Sequence, residues 1–256
     1  MMKYLILILL FSCSSFKLPV FNQKPKVELE LTNYKEFNNF DYIDHLKSYH
    51  KVYLENIESK RIDLQAKHQE FLKNTVKKIT SANELFFKDN VQPEFYIVNS
   101  NIPFHFSLPG YKFYFSSSLI KRYVKNETIL YCLIVYELVR SEKNIYEKKI
   151  IIPTGAIDTE RILSLLRLNT EDKVEIHKWS YYLLKRIGLE SDSYLSWLQI
   201  KNRNSLDFSL QLGDVRSISR EEALFKAFLI DNYLEASQRT KYKGSSKQFY
   251  SFLRSI

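Results

Sequence analysis

Three side chains near the end of one apolar run have the types and spacing that chemistry needs: Tyr136, Glu137 and Arg140. Residues 136 and 140 are about one helical turn apart, so on a helix they share a face, with Glu137 beside them. Two histidines in such positions hold a divalent metal, and the glutamate between them takes a proton from metal-bound water. Here tyrosine and arginine stand in those places. A free phenol ionises only near pH 10, so a phenolate ligand is costly at neutral pH. A guanidinium stays protonated, has no lone pair to give and repels a cation. The spacing is that of H-E-x-x-H with its ligands gone, which leaves Glu137 without a metal-bound water to act on. The plainer reading of the same pentad is the end of a buried helix with an ordinary glutamate.

The element that positions them runs from Asn126 to Arg140. Leu130, Leu133, Ile134 and Val135 form a nearly continuous apolar wall, as in a helix buried on most sides. Asn126 suits the N-cap, and Glu127 suits the positive end of the helix dipole. Ahead of it, residues 94–120 read as a small antiparallel sheet. Phe95 to Val98 is rich in strand formers, Phe104 to Leu108 alternates, Pro109-Gly110 is a turn, and Phe113 to Phe115 starts another strand. A helix is expected to begin near Ser117–Leu119. Residues 41–90 are helical in period, and none of His45, His50 and His68 has the i, i+4 spacing of a helical metal pair.

Downstream, Glu175 to Gly188 reads as a helix ending at a glycine, with Lys185 and Arg186 in its last turn. Further helical patterns lie around Tyr194 to Ile200 and Glu221 to Leu229, the latter with Ser219 and Glu222 at capping-box spacing. The tail from Thr240 to Ile256 is basic and aromatic, placed either on the domain or on a membrane face.

Together these stretches resemble the zinc metallopeptidases of the HtpX and CAAX-prenyl-protease type, the gluzincins. The family has an N-A-F-x-L-P-G-G segment, a strand, a T-G-L turn, the H-E-x-x-H helix, and then a helix carrying E-A-D-x-x-G. This chain has Phe104-His105-Phe106-Ser107-Leu108-Pro109-Gly110-Tyr111, then Ser117-Ser118-Leu119, then the altered pentad, then Glu175-Ile176-His177-Lys178-Trp179-Ser180. The resemblance puts Glu175 at the third metal ligand and His177 at the family's aspartate. It makes Phe104, His105, Phe106, Ser107 and Leu108 the edge strand that pairs with an extended peptide, a known recognition mode. It covers roughly residues 70–230, and the family's His-Pro segment has no counterpart near Ser217–Arg220.

The start of the chain carries a separate signal. MMKYLILILLFSC has a lysine, a short apolar run too short to span a bilayer, and Leu10-Phe11-Ser12-Cys13, which resembles a bacterial lipobox. The resemblance implies cleavage before Cys13 and acylation of that residue, the alternatives being an ordinary secretory peptide or an uncleaved anchor. Ser14 after the cysteine favours the outer membrane, facing the periplasm. The formal charge of +9 fits an anionic surface nearby. No compact basic cluster or nucleic-acid motif accompanies it, so nucleic acid is not the expected partner. Cys132 falls inside the apolar helix, where a free thiol behaves as a small hydrophobe.

The expected organisation is a signal peptide over 1–12, a tether over 13–40 with either a short strand or plain linker around Val27 to Leu31, a domain over 41–235 and a tail over 236–256. The expected fold class is α+β: a mainly helical metallopeptidase-like (zincin) domain, with the small antiparallel sheet before the motif helix. The expected function is a lipid-anchored, catalytically inactive module of the cell envelope that binds a peptide or protein, with no metal or cofactor. In this reading Tyr136, Glu137, Arg140 and Glu175 are remnants, and Arg140 bridges Glu175 in the lost cation's place. Two rivals stand beside it. One is an active peptidase with zinc on Glu175, His177 and Tyr136. The other is a structural envelope protein that contacts lipid or cell wall.

Overall fold

The computed structural model describes residues 39–87, 91–149, 157–189, 192–232 and 244–256. Cys13, the lipobox and residues 14–38 of the tether lie outside them. The order of elements is α1 (Asn39–Ile57), a 3-10 turn (Glu58–Lys60), β1 (Arg61–Ile62), α2 (Ala66–Ser81), β2 (Glu94–Val98), β3 (His105–Leu108), β4 (Lys112–Ser116), α3 (Ser117–Tyr123) and α4 (Glu127–Glu142). Then follow α5 (Thr159–Leu165), α6 (Thr170–Arg186), α7 (Asp192–Arg203), α8 (Ser209–Leu212), α9 (Ser217–Asp231) and α10 (Lys247–Arg254). The fold is mainly helical with one small sheet, as expected of its class.

The sheet itself corrects the expectation: it is mixed, in the order β1-β2-β4-β3. The turn at Pro109-Gly110 folds β3 back on β4 as an antiparallel hairpin, with Gly110 at φ 83°. The strand so returned enters the sheet between β3 and β2 and runs parallel to β2. Alternation then divides the side chains between two faces. Phe95, Ile97, Phe113 and Phe115 join one core, which also holds Leu133, Ile134 and Leu138 of α4. Tyr114, Phe106 and Leu108 join a second core with Tyr42, Leu46 and Tyr53 of α1. Both faces are covered, so these strands are apolar on both sides.

Helix α4 is the centre of the larger core. The Asn126 side chain accepts from Ile129 N at 2.9 Å, and every residue from Thr128 to Ser141 is buried. Cys132 is fully buried, and burial pushes its thiol pKa up. Against α4 packs α6, capped by Asn169 and ended by Gly188 at φ 74°. There Gly188 N donates to Lys185 O at 3.1 Å and Leu189 N to Leu184 O at 3.1 Å, a Schellman closure. Helix α9 begins at Ser217 without a side-chain cap. The Ser219–Glu222 capping box is therefore not made: Ser219 Oγ donates to Asn202 Oδ1 at 3.0 Å, and Asn202 Nδ2 donates to Glu222 at 2.7 Å.

Of its two possible placements, the C-terminal segment takes the domain. Phe249 and Phe252 of α10 are fully buried, and the Phe252 ring lies 6.0 Å from Phe71 of α2. Ser246 N donates to Glu127 at 2.7 Å, and Glu127 N donates to Ser245 Oγ at 3.0 Å, tying the segment to the first turn of α4.

Candidate functional site

Glu137 is 0% exposed and its carboxylate is surrounded by donors. His105 Nδ1 lies 2.6 Å from one oxygen, and Ser107 Oγ donates to the other at 2.7 Å. A guanidinium nitrogen of Arg140 is 3.9 Å away. Burial alone would raise the Glu137 pKa, but the His105 bond, the Arg140 charge and the Ser107 hydroxyl together hold it below the usual carboxylate range. Burial lowers the His105 pKa, and the Lys201 and Arg140 charges lower it further against the pull of Glu137. The consistent state is a neutral ring whose Nδ1–H donates to an ionised Glu137. The strand supplies both donors because residues 105 and 107 share the face of β3 that meets α4.

Arg140 does not bridge Glu175. Its guanidinium donates to Leu166 O and, at 3.4 Å, to Ile145 O, and it lies 4.9 Å over the Tyr146 ring. It thus ties the loop after α4 to the end of α5. Glu175 is exposed and accepts from Trp179 Nε1 at 2.8 Å. The reason is helical phase. The buried stripe of α6 runs through Lys173, Ile176, His177 and Ser180, and residue 175 lies about 200° from 173 and from 177. The α6 side chains that reach the pentad are therefore Lys173 and His177. The same phase difference separates Glu175 from His177, so they cannot share an ion.

A second buried cluster adjoins the first. Lys173 Nζ donates to Glu221 at 2.8 Å, His177 Nε2 lies 3.4 Å from the other Glu221 oxygen, and His177 Nδ1 is 2.8 Å from the Tyr194 hydroxyl. Lys201, also buried, faces the same carboxylate, and its charge together with Lys173 and His177 holds Glu221 far below the usual range despite burial. The Tyr136 ring stands between the clusters, 5.6 Å from His105 and 5.4 Å from His177. Lys173, Lys201 and Glu221 escape motif reading. Their signal is charge within an apolar period: Ile218, Glu221 and Phe225 of α9 follow one buried stripe at i, i+3 and i+7.

The strand expected to receive a peptide is buried along its length. Phe106 and Leu108 point into the core with α1, joined there by Phe104 from just before the strand. The main chain of His105 faces away from β4, where Gln211 of α8 meets it. His105 N donates to Gln211 Oε1 at 3.4 Å and Gln211 Nε2 donates to His105 O at 2.6 Å. A side-chain amide thus fills the place of a neighbouring strand at that residue.

The arrangement does not suit a divalent metal. The space beside Tyr136 and Arg140 is lined by Lys173 and Lys201, so cations surround the place where an ion would sit. Burial pushes the Tyr136 phenol well above its ordinary pKa, which makes a phenolate costlier still. Among the described residues no group of three His, Cys, Asp or Glu side chains could hold a metal. Nucleophilic catalysis is equally ill-served. Ser107 donates to Glu137 rather than to His105, so the imidazole cannot take its proton. No family model matches the chain, and no curated protein matches it.

Proposed function

We propose that this chain is a lipid-anchored envelope protein whose metallopeptidase-like domain has exchanged catalysis for binding. The observation that carries the reading is the charge at the pentad. Arg140, Lys173 and Lys201 line the space that a hydrolytic metal would occupy, and Glu137 is bonded to His105 and Ser107 with no surface exposed. A carboxylate already accepting from two neighbours, in a cationic setting, has neither a metal-bound water nor access to a substrate proton. Acylation at Cys13 holds the domain at the outer membrane on the periplasmic side. The occupant is an extended peptide or envelope protein laid along β3, admitted when Gln211 releases the main chain of His105.

Metal content, peptide cleavage and peptide capture test this. Protein purified without chelators should contain far less than one zinc per chain and should leave a peptide library uncut, with Glu137→Gln indistinguishable from wild type. Stoichiometric zinc, or cleavage abolished by Glu137→Gln, would overturn it. Gln211→Ala frees both main-chain groups of His105, so capture of extended peptides should strengthen severalfold. Unchanged capture would remove β3 as the binding edge while leaving the loss of catalysis standing. Separately, Cys13→Ala should move the chain out of the membrane fraction.

A further inference from the structure

We infer that the small cavity beside His105 binds one anion of about chloride size, held by Lys201 and Arg167. The cavity measures about 30 Å³, and its lining includes Arg140, Arg167, Lys173 and Lys201. That volume is about two to three times the ~10–15 Å³ that a single water needs to enter a cavity. Two buried carboxylates stand against the four cations. Glu221 takes Lys173 at 2.8 Å, and Glu137 has Arg140 at 3.9 Å. Among the described residues no carboxylate lies within ion-pair distance of Lys201 or Arg167. Lys201 is only 7% exposed. Lys201 and Lys173 thus share the one Glu221 carboxylate, which leaves the cavity with an excess of buried positive charge; that excess is costly, and an anion between Lys201 and Arg167 would offset it.

A second observation points to the same place. His105 is 2% exposed and lines this cavity, and its Nε2 has no hydrogen-bond partner. Arg167 Nε, on another wall, is likewise buried and without a partner, although its terminal nitrogen donates to Leu210 O at 2.8 Å. Buried polar atoms without partners are few in folded proteins, and two on one small cavity call for an occupant. Water would meet Nε2 but leave the charge uncompensated. An anion meets both needs by bringing a proton with it: the ring, neutral while the cavity is empty, then carries one on each nitrogen, Nδ1 donating to Glu137 and Nε2 to the anion. Lys201 and Arg140 oppose that proton, and the anion offsets them. This inference does not depend on whether the domain has lost peptidase chemistry, since it is decided by anion uptake alone.

The test uses the full-length chain. Crystals grown in sodium bromide should show an anomalous bromide peak between Lys201 and Arg167. In solution, the midpoint of thermal unfolding should rise and saturate with sodium chloride, relative to sodium gluconate at equal ionic strength, because gluconate is too large for the cavity. Lys201→Gln and Arg167→Gln should each weaken that chloride response at least tenfold, and Lys185→Gln, on the outer surface, should keep it. Bromide crystals with water alone in the cavity would overturn the inference. So would a chloride response retained in the Arg167→Gln variant, which answers the question even if Lys201→Gln fails to fold.

Discussion

At the scale of single residues, the decisive pairing is Glu137 with His105 and Arg140, and Glu175 lies apart from it. Removing one partner of a buried ion pair leaves an uncompensated charge, which typically costs about 3–5 kcal/mol. Glu137→Ala should therefore destabilise by about that much, while Glu175→Ala, on the solvent face, should stay within about 0.5 kcal/mol. A double-mutant cycle between Arg140→Ala and Glu175→Gln should be additive within about 0.5 kcal/mol. The cycle between Arg140→Ala and Glu137→Gln should show a coupling of about 0.5–3 kcal/mol. Chemical denaturation of the four variants measures both. Coupling in the first cycle and additivity in the second would reverse the assignment of partners.

At the scale of elements, the caps and turns around the site followed their local signals, while the Ser219–Glu222 capping box did not form. Asn126 caps α4, Gly188 ends α6 and Pro109-Gly110 turns the hairpin, because each acts on backbone within a few residues. What depended on distant pairing was not legible. Nothing near β4 says that it lies between β2 and β3 or that it runs parallel to β2. Glu175 shows a different failure: aligning a motif gave it a role that the apolar period of its own helix denies. Lys173 and His177 face the pentad in its place because they sit on the buried stripe, and neither serves as a metal ligand. Gly213 is an element-scale feature that motif reading passed over. It ends α8 at φ 75°, and an added Cβ would lie 2.9 Å from Arg167 Nε. Gly213→Ala should cost about 1–3 kcal/mol from the backbone conformation. It should also displace the Arg167 guanidinium from the cavity wall, and thermal unfolding with and without chloride would read both effects.

At the scale of the whole molecule, the buried polar clusters make the domain sensitive to acid. The folded pKa values of His105, His177, Glu137 and Glu221 all lie below their ordinary values. Between each folded value and its unfolded counterpart the unfolded chain holds the extra proton, so stability rises with pH. The histidine contribution is present above about pH 6.5 and is lost as pH falls below it. The carboxylate contribution is present above about pH 4.5 and is lost as pH falls further, through the folded values. Urea midpoints should therefore fall steadily from pH 7.5 to pH 4, and His177→Gln should flatten the upper part of that slope. A midpoint that rises on acidification would contradict the lowered folded pKa of both rings. No described helix is long and apolar enough to cross a membrane.

Cys132, buried at the centre of α4, turns the core into its own reporter. If Cys13 is acylated, this is the only thiol left in the chain. A maleimide in solution reaches it only when the helices part, so the alkylation rate under native conditions measures how often the interior opens. Any ligand that grips the closed form slows that rate by its degree of saturation. A binding partner of unknown identity could thus be screened for without any assay of activity.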